Sequence, residues 1–279
     1  MHSKHNGYSF PLRDTVKREK VHFCNRYGIE LCGDLYLPAQ AAGKLAAVAV
    51  SGPFGAVKEQ CSGLYAEELA SRGFAALAFD PSFTGESGGE VRNVASPDIE
   101  DFSAAVDFLI TRDFVDGEKV GILGICGWGG MELNAAAMDT RIKAVITASM
   151  FDMSVAARMG QTPEQIRQRK EQLSLQRWKD AENGQPEYLP TFPEEAVEEI
   201  PDEVQGLNRE FFDFYATKRG HHPYALGGFT TTSDLSFLNY ALNDHIAEIS
   251  PRPILFLVGE QAESRFFSDI AFEQAAEPK

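Results

Sequence analysis

A mostly parallel β-sheet covered by helices on both faces is the fold class this chain predicts, on three observations. Short, almost wholly apolar runs, LAAVAVSG (Leu45 to Gly52), FAALAFD (Phe74 to Asp80) and KVGILGI (Lys119 to Ile125), read as strands buried on both sides. Segments with helical spacing of apolar residues alternate with these runs. The third run passes directly into the glycine-rich ICGWGG, the pattern of a strand turning sharply into a helix.

The elements follow in order. KVHFCNRYGIELCGDLYLP (Lys20 to Pro38) alternates polar and apolar residues on either side of Asn25 to Gly28, so an antiparallel entry hairpin is expected. After LAAVAVSG, the residues Cys61, Leu64, Tyr65 and Leu69 share one face of a helix that Gly73 stops. After FAALAFD, a covering helix opens with Ser96 as N-cap and Pro97 at its first position. It carries an apolar stripe of Phe102, Ala105, Val106, Leu109 and Ile110. KVGILGI, the glycine turn and the helical GMELNAAAMD repeat the cycle, and KAVITAS is the next strand. From about Phe151 to Tyr240 the composition shifts to charged helical segments (EEAVEEIPDE), scattered prolines and the aromatic NREFFDFYATKRGHHPY. The expected division is therefore a core of residues 1–150 and 241–279 with a helical cap insertion over 151–240. PRPILFLVGE returns to the strand pattern, and RFFSDIAFEQAA is a short helix.

Composition excludes several function classes. The formal charge of −15 over 279 residues repels phosphate backbones and anionic membrane surfaces, so neither nucleic acid nor a membrane is an expected partner. No uncharged apolar run approaches the ~20 residues of a membrane span, and the opening residues lack an apolar signal core. A cytoplasmic protein is expected, with room for a homo-oligomer. Four cysteines without a CxxC pair suggest neither a disulfide framework nor structural zinc, and no metal or organic cofactor is implied. GILGICGWGG is glycine-rich after a strand, but it does not give the spacing of a dinucleotide- or phosphate-binding loop.

Cys126 sits at the bend of the glycine turn. An isolated cysteine is most often a small buried hydrophobe; at a strand-to-helix turn it is also where an exposed nucleophile is carried, with the helix N-terminus favouring thiolate. Three other segments fit the second reading. SGPFG (Ser51 to Gly55) follows a central strand, and the N–H groups of Phe54 and Gly127 are the candidate oxyanion donors, since Pro53 has none. DPSFTGESGG (Asp80 to Gly89) is a polar loop expected beside the site. FLVGEQAE offers Glu260 or Glu263 as the acid at a strand end, with Glu260 favoured. Trp128, Phe151 and His222 are candidate pocket residues for a small acyl substrate, with core packing as the alternative for each.

Taken together, GPFGAVKEQ, DPSFTGESGG, RNVASPDI, GICGWGG and ISPRPIL resemble the α/β-hydrolase superfamily, within it the cysteine-nucleophile branch near dienelactone hydrolases and a group of bacterial hydrolases. The resemblance runs from about Asp14 to Lys279. It implies a central sheet of about eight strands and a thiol or hydroxyl nucleophile that attacks esters, lactones or related acyl compounds. Two departures stand out. Trp128 takes the place of the usual second glycine, which Gly129 or Gly130 replaces one step later. Moreover, no histidine follows the acid, where the resemblance expects the base: all six (His2, His5, His22, His221, His222, His245) precede PILFLVGE.

Three readings stay open. The last strand and its histidine-bearing loop are missing from this chain, which leaves PILFLV as a sheet edge; or His222 or His221 reaches the site from the cap; or the chain is a non-catalytic or impaired relative that binds a small acyl ligand.

Overall fold

The computed structural model describes residues 7–89 and 97–279. Among the described residues seven strands form one sheet in the order β1-β2-β4-β3-β5-β6-β7. β1 (Val16–Cys24) and β2 (Glu30–Pro38) make the expected antiparallel hairpin, and β2 pairs antiparallel with β4 (Ala75–Phe79). At the hairpin bend the Asn25 carboxamide oxygen accepts the N–H groups of Tyr27 and Ile29, both at 3.0 Å, while Gly28 supplies a positive φ of 79°.

From β4 onward the sheet is parallel: β3 (Leu45–Ser51) lies between β4 and β5 (Val115–Ile125), followed by β6 (Ala144–Ala148) and β7 (Ile254–Leu257). The continuous apolar runs are explained by burial on both faces. α1 (Cys61–Ser71) covers one face together with Val48, Val50, Leu123 and Ile125. α2 (Pro97–Ile110), α3 (Gly127–Met138) and α8 (Arg265–Gln274) cover the other, with Ala49, Leu77, Ile122 and Val145 beneath them. Among the described residues β7 is the last strand in the sheet order, with Leu255 and Leu257 exposed.

Two local expectations need correction or fall outside view. The stripe expected to bury α1 is turned outward in part, with Leu64 and Tyr65 exposed; Ser62, Gly63, Ala66 and Ala70 are buried instead. The helix lies so close to the chain beneath it that a Cβ on Gly63 would sit 2.2 Å from the Lys58 carbonyl oxygen, so small residues make the contact and large ones stay at the margin. The α2 stripe of Phe102, Ala105, Val106 and Leu109 is wholly buried, whereas the proposed cap Ser96 lies outside the described residues.

Between β6 and β7 the chain runs through α4 (Met153–Arg158), α5 (Pro163–Asn183), α6 (Leu207–Tyr215) and α7 (Asp234–Asn239). α5 begins with a reciprocal Thr162–Gln165 capping box and ends at Gly184 in the left-handed region. Among the described residues no helix is long and apolar enough to cross a membrane.

Candidate active site

β3 and β5 are neighbours with Ser51 opposite Gly124, so the loops leaving their C-terminal ends emerge side by side. That is where open α/β sheets place their ligands. Cys126 occupies the second of these exits, with φ 58° and ψ −123°. Such a backbone costs a non-glycine residue about 1–3 kcal/mol and persists only where the surroundings enforce it. Here the Cys126 N–H donates to the Ala148 carbonyl (3.0 Å), and the Cys126 carbonyl accepts the N–H groups of Phe151 (2.7 Å) and Gly129 (2.9 Å). Two glycines make room for the turn. A Cβ on Gly124 would lie 2.5 Å from the Trp128 carbonyl oxygen, and one on Gly129 would lie 2.7 Å from the Met150 Cβ. Gly129 therefore takes up, one step later, the close approach that Trp128 cannot make.

The N–H groups of Gly127 and Phe54 both hydrogen-bond toward the Cys126 sulfur. Gly127 opens α3. Phe54 is held in a turn closed by the Ala56 N–H on the Pro53 carbonyl (2.8 Å), and its ring stacks on Phe229 at 4.2 Å. Burial pushes the Cys126 thiol above its ordinary pKa, and these two donors bring it only part of the way back. The N–H groups at the helix start favour the thiolate as expected, but desolvation of the charge outweighs them.

Two further groups surround the sulfur that sequence reasoning did not place there. Cys61 begins α1, packs against the same apolar cluster as Cys126, and its thiol is pushed up to about 12 by burial and by the Cys126 thiol beside it. Tyr215, the last residue of α6, lies within electrostatic range of both thiols, and burial raises its hydroxyl above the ordinary pKa. Cys61 was read only as one position in a helical stripe, and Tyr215 only as part of an aromatic segment. The contact that unites them, Gln60 Nε2 donating to the Gly220 carbonyl at 2.6 Å, spans 160 residues.

The remaining candidates are dispersed. Trp128 is 3% exposed and packs edge-on against Phe102 at 5.7 Å, so it is a core residue and not a pocket wall; the helix turn points it to the α2 side of the sheet. Phe151 packs against Phe267 of α8 with the rings tilted and their centroids 4.4 Å apart. His222 is buried, but it lies against Gly7 and its electrostatic neighbours are Glu59, Lys58, His221 and Glu86. His221 Nε2 pairs with the Pro193 carbonyl at 3.1 Å. His22 and His245 are exposed beside Glu30 and Glu248, and His2 and His5 lie outside the described residues. Glu260 and Glu263 both sit on the exposed turn after β7, where Arg265 donates to the Glu260 carbonyl oxygen.

DPSFTGESGG does pack beside the site, through a residue the sequence reading passed over. Lys58 is wholly buried, and its ammonium donates to Glu59 (2.7 Å), Asp80 (3.0 Å) and Glu86 (2.6 Å). Its own N–H reaches Asp80 Oδ1 at 2.7 Å, and the Glu86 N–H reaches Asp80 Oδ2 at 3.0 Å. The loop carrying Phe54 is thereby tied to the loop leaving β4. A lysine within GPFGAVKEQ, next to a glutamate and matched by an aspartate at the following strand end, was the available signal. Among the described residues no group of histidine, cysteine and carboxylate side chains is arranged to hold a metal ion.

A mostly parallel sheet with helices on both faces, and a strained strand-to-helix turn at the end of its central strand, define an α/β hydrolase. The chain belongs to the X-Pro dipeptidyl-peptidase (S15) family, whose model matches residues 27–213. It is 53% identical to protein PA2218 of Pseudomonas aeruginosa, over 97% of this chain and 74% of that protein. The crystal structure of PA2218 superposes with a TM-score of 0.92 at 49% identity, covering all of this chain and 88% of the other. The thiohydrolase aneE of Aspergillus aculeatus is 29% identical over 86% of this chain and 75% of its own length. The α/β hydrolase GrgF from Penicillium sp. sh18 shares the fold, with a TM-score of 0.77 at 24% identity over 94% of this chain and 88% of that one.

Proposed function

We propose that this chain cleaves acyl compounds, whether esters, lactones or thioesters, by transferring the acyl group to Cys126. The observation that carries the reading is the Cys126 turn itself, a strained φ of 58° with the N–H groups of Gly127 and Phe54 directed at the sulfur. Strain of this kind is maintained where a side chain must be presented, and a buried structural cysteine has no need of it. The relationship to a protein named thiohydrolase favours the same chemistry.

In the acylation half, the Cys126 thiol gives its proton to water as its sulfur bonds to the substrate carbonyl carbon and the carbonyl electron pair moves onto oxygen. The Gly127 and Phe54 N–H groups, fixed by α3 and by the Pro53–Ala56 turn, then hold that oxyanion without reorganisation. Collapse expels the leaving group and leaves a thioester on Cys126. Water resolves the thioester, and base assistance to that step is worth ~10²–10⁴ in rate. His222, set among Lys58 and Glu59, is not positioned to give it. The 279-residue chain is therefore expected to acylate quickly and deacylate slowly. With 4-nitrophenyl acetate it should release a burst of nitrophenolate close to one equivalent, followed by a slow steady state, and Cys126→Ala should remove the burst. A wild-type chain with neither burst nor turnover would favour the second reading, an acyl-ligand-binding relative, which the raised Cys126 pKa also favours.

A further inference from the structure

Resting on that reading, we propose that Gln60 is a positioning residue for acyl transfer: its carboxamide ties the loop that presents the Phe54 N–H to the segment between β6 and β7. Both ends of the tie are hydrogen bonds. Gln60 Oε1 accepts the Val57 N–H at 3.1 Å, and Gln60 Nε2 donates to the Gly220 carbonyl at 2.6 Å. The residue is only 1% exposed, so water does not replace either bond when it is lost.

From Pro53 to Gln60 the chain makes two tight turns, closed by the Ala56 N–H on the Pro53 carbonyl (2.8 Å) and the Gln60 N–H on the Val57 carbonyl (2.9 Å). The segment between β6 and β7 grips this stretch at both ends. At the first end the Phe54 ring stacks on Phe229 at 4.2 Å and meets Phe237 edge-on at 5.8 Å. At the second end Gln60 holds Gly220, which is itself fixed: the His221 N–H donates to the Thr217 carbonyl at 3.0 Å, and the Phe214 ring lies 2.5 Å from where a Gly220 Cβ would stand. Stacked rings resist separation but slide easily, whereas hydrogen bonds fix direction, so Gln60 supplies the orientation that the Phe54 ring contact lacks. An oxyanion donor acts on the charge that develops in the transition state, and a small displacement weakens it there without altering how the uncharged ester binds.

Stopped-flow acylation over a range of 4-nitrophenyl acetate concentrations tests this. Gln60→Met removes both hydrogen bonds and keeps the bulk of the side chain. Its limiting burst rate constant should fall on the order of 10- to 10²-fold, as for a group misplaced by up to about 1 Å, with half-saturating concentration and burst amplitude as in wild type. Gln60→Asn keeps a carboxamide one methylene too short to reach both partners; it should lose rate in the same way, and it carries the test if Gln60→Met does not fold. A smaller amplitude or an earlier urea midpoint at an unchanged rate constant makes Gln60 a structural residue and overturns the proposal. So does a raised half-saturation alone, which means that the tie only retains substrate. A wild-type chain with no burst, or acylated at a residue other than Cys126, defeats the nucleophile reading itself, whereas failure of the Gln60 proposal alone leaves wild-type Cys126 acylated.

Discussion

The Lys58 ammonium donates to the Asp80 carboxylate across 3.0 Å, and neither side chain has any exposure to solvent. The same ammonium holds Glu59 and Glu86, so one buried cation serves three carboxylates from two loops. Removing it strands buried negative charge, which costs about 3–5 kcal/mol. Lys58→Met should lower the free energy of unfolding by that amount in urea titration, with the slope unchanged. A loss within experimental error contradicts the placement of Lys58 at the centre of the cluster.

Glu86 makes the acid side of stability measurable. Although burial pushes it up, hydrogen bonds from Lys20 and Lys58 hold the Glu86 carboxyl at about 2, below its ordinary value of 4.5. A carboxyl lowered on folding stabilises fully above the unfolded-state pKa, and that contribution fades as pH falls from about 4.5 toward 2. Glu86→Gln should therefore be less stable than wild type at neutral pH, and the gap should close in acid. A gap that widens on acidification reverses the sign of the linkage and defeats the assignment.

Thiol reactivity should follow exposure more than helix position. Cys24 is exposed at the end of β1, Cys126 is half-buried with a raised pKa, and burial pushes Cys32 and Cys61 to about 12. Iodoacetamide at mildly alkaline pH, read by peptide mapping, should label Cys24 first, Cys126 next, and Cys32 and Cys61 last. Labelling of Cys61 ahead of Cys126 contradicts the burial order. Alternation in β1 does not by itself reveal that the strand lies at the sheet edge, where Cys24 is exposed.

His222 faces Glu59 and Lys58, so His222→Ala should leave both the acylation burst and the slow phase almost unchanged. A variant that keeps the burst but loses steady-state turnover identifies His222 as the deacylating base and overturns that expectation.

Much of this arrangement was legible before any coordinates. Apolar runs announced β3, β4 and β5 because strands buried on both faces cannot carry polar side chains, and the glycines around Cys126 announced a turn because no Cβ fits at Gly124. Phe54 could be selected because Pro53 lacks an N–H. The failures share one cause, which is contact between segments distant in sequence. Beyond its neighbour Glu59, the partners that mark Lys58 as buried, Asp80 and Glu86, arrive from the next loop. The buried face of α1 is made of small residues because the chain beneath it approaches closely, and hydrophobic periodicity selects large residues instead. Tyr215 comes to the thiols only through the fold of the segment between β6 and β7.

The central claim is that Cys126 is the residue acylated, and trapping the acyl-enzyme tests it most directly. Wild-type protein mixed with 4-nitrophenyl acetate, quenched in acid within the burst and digested, should carry one acetyl group on the peptide containing Cys126, and Cys126→Ala should carry none. An acetyl group on another residue in wild type, or equal acetylation of Cys126→Ala, contradicts the account.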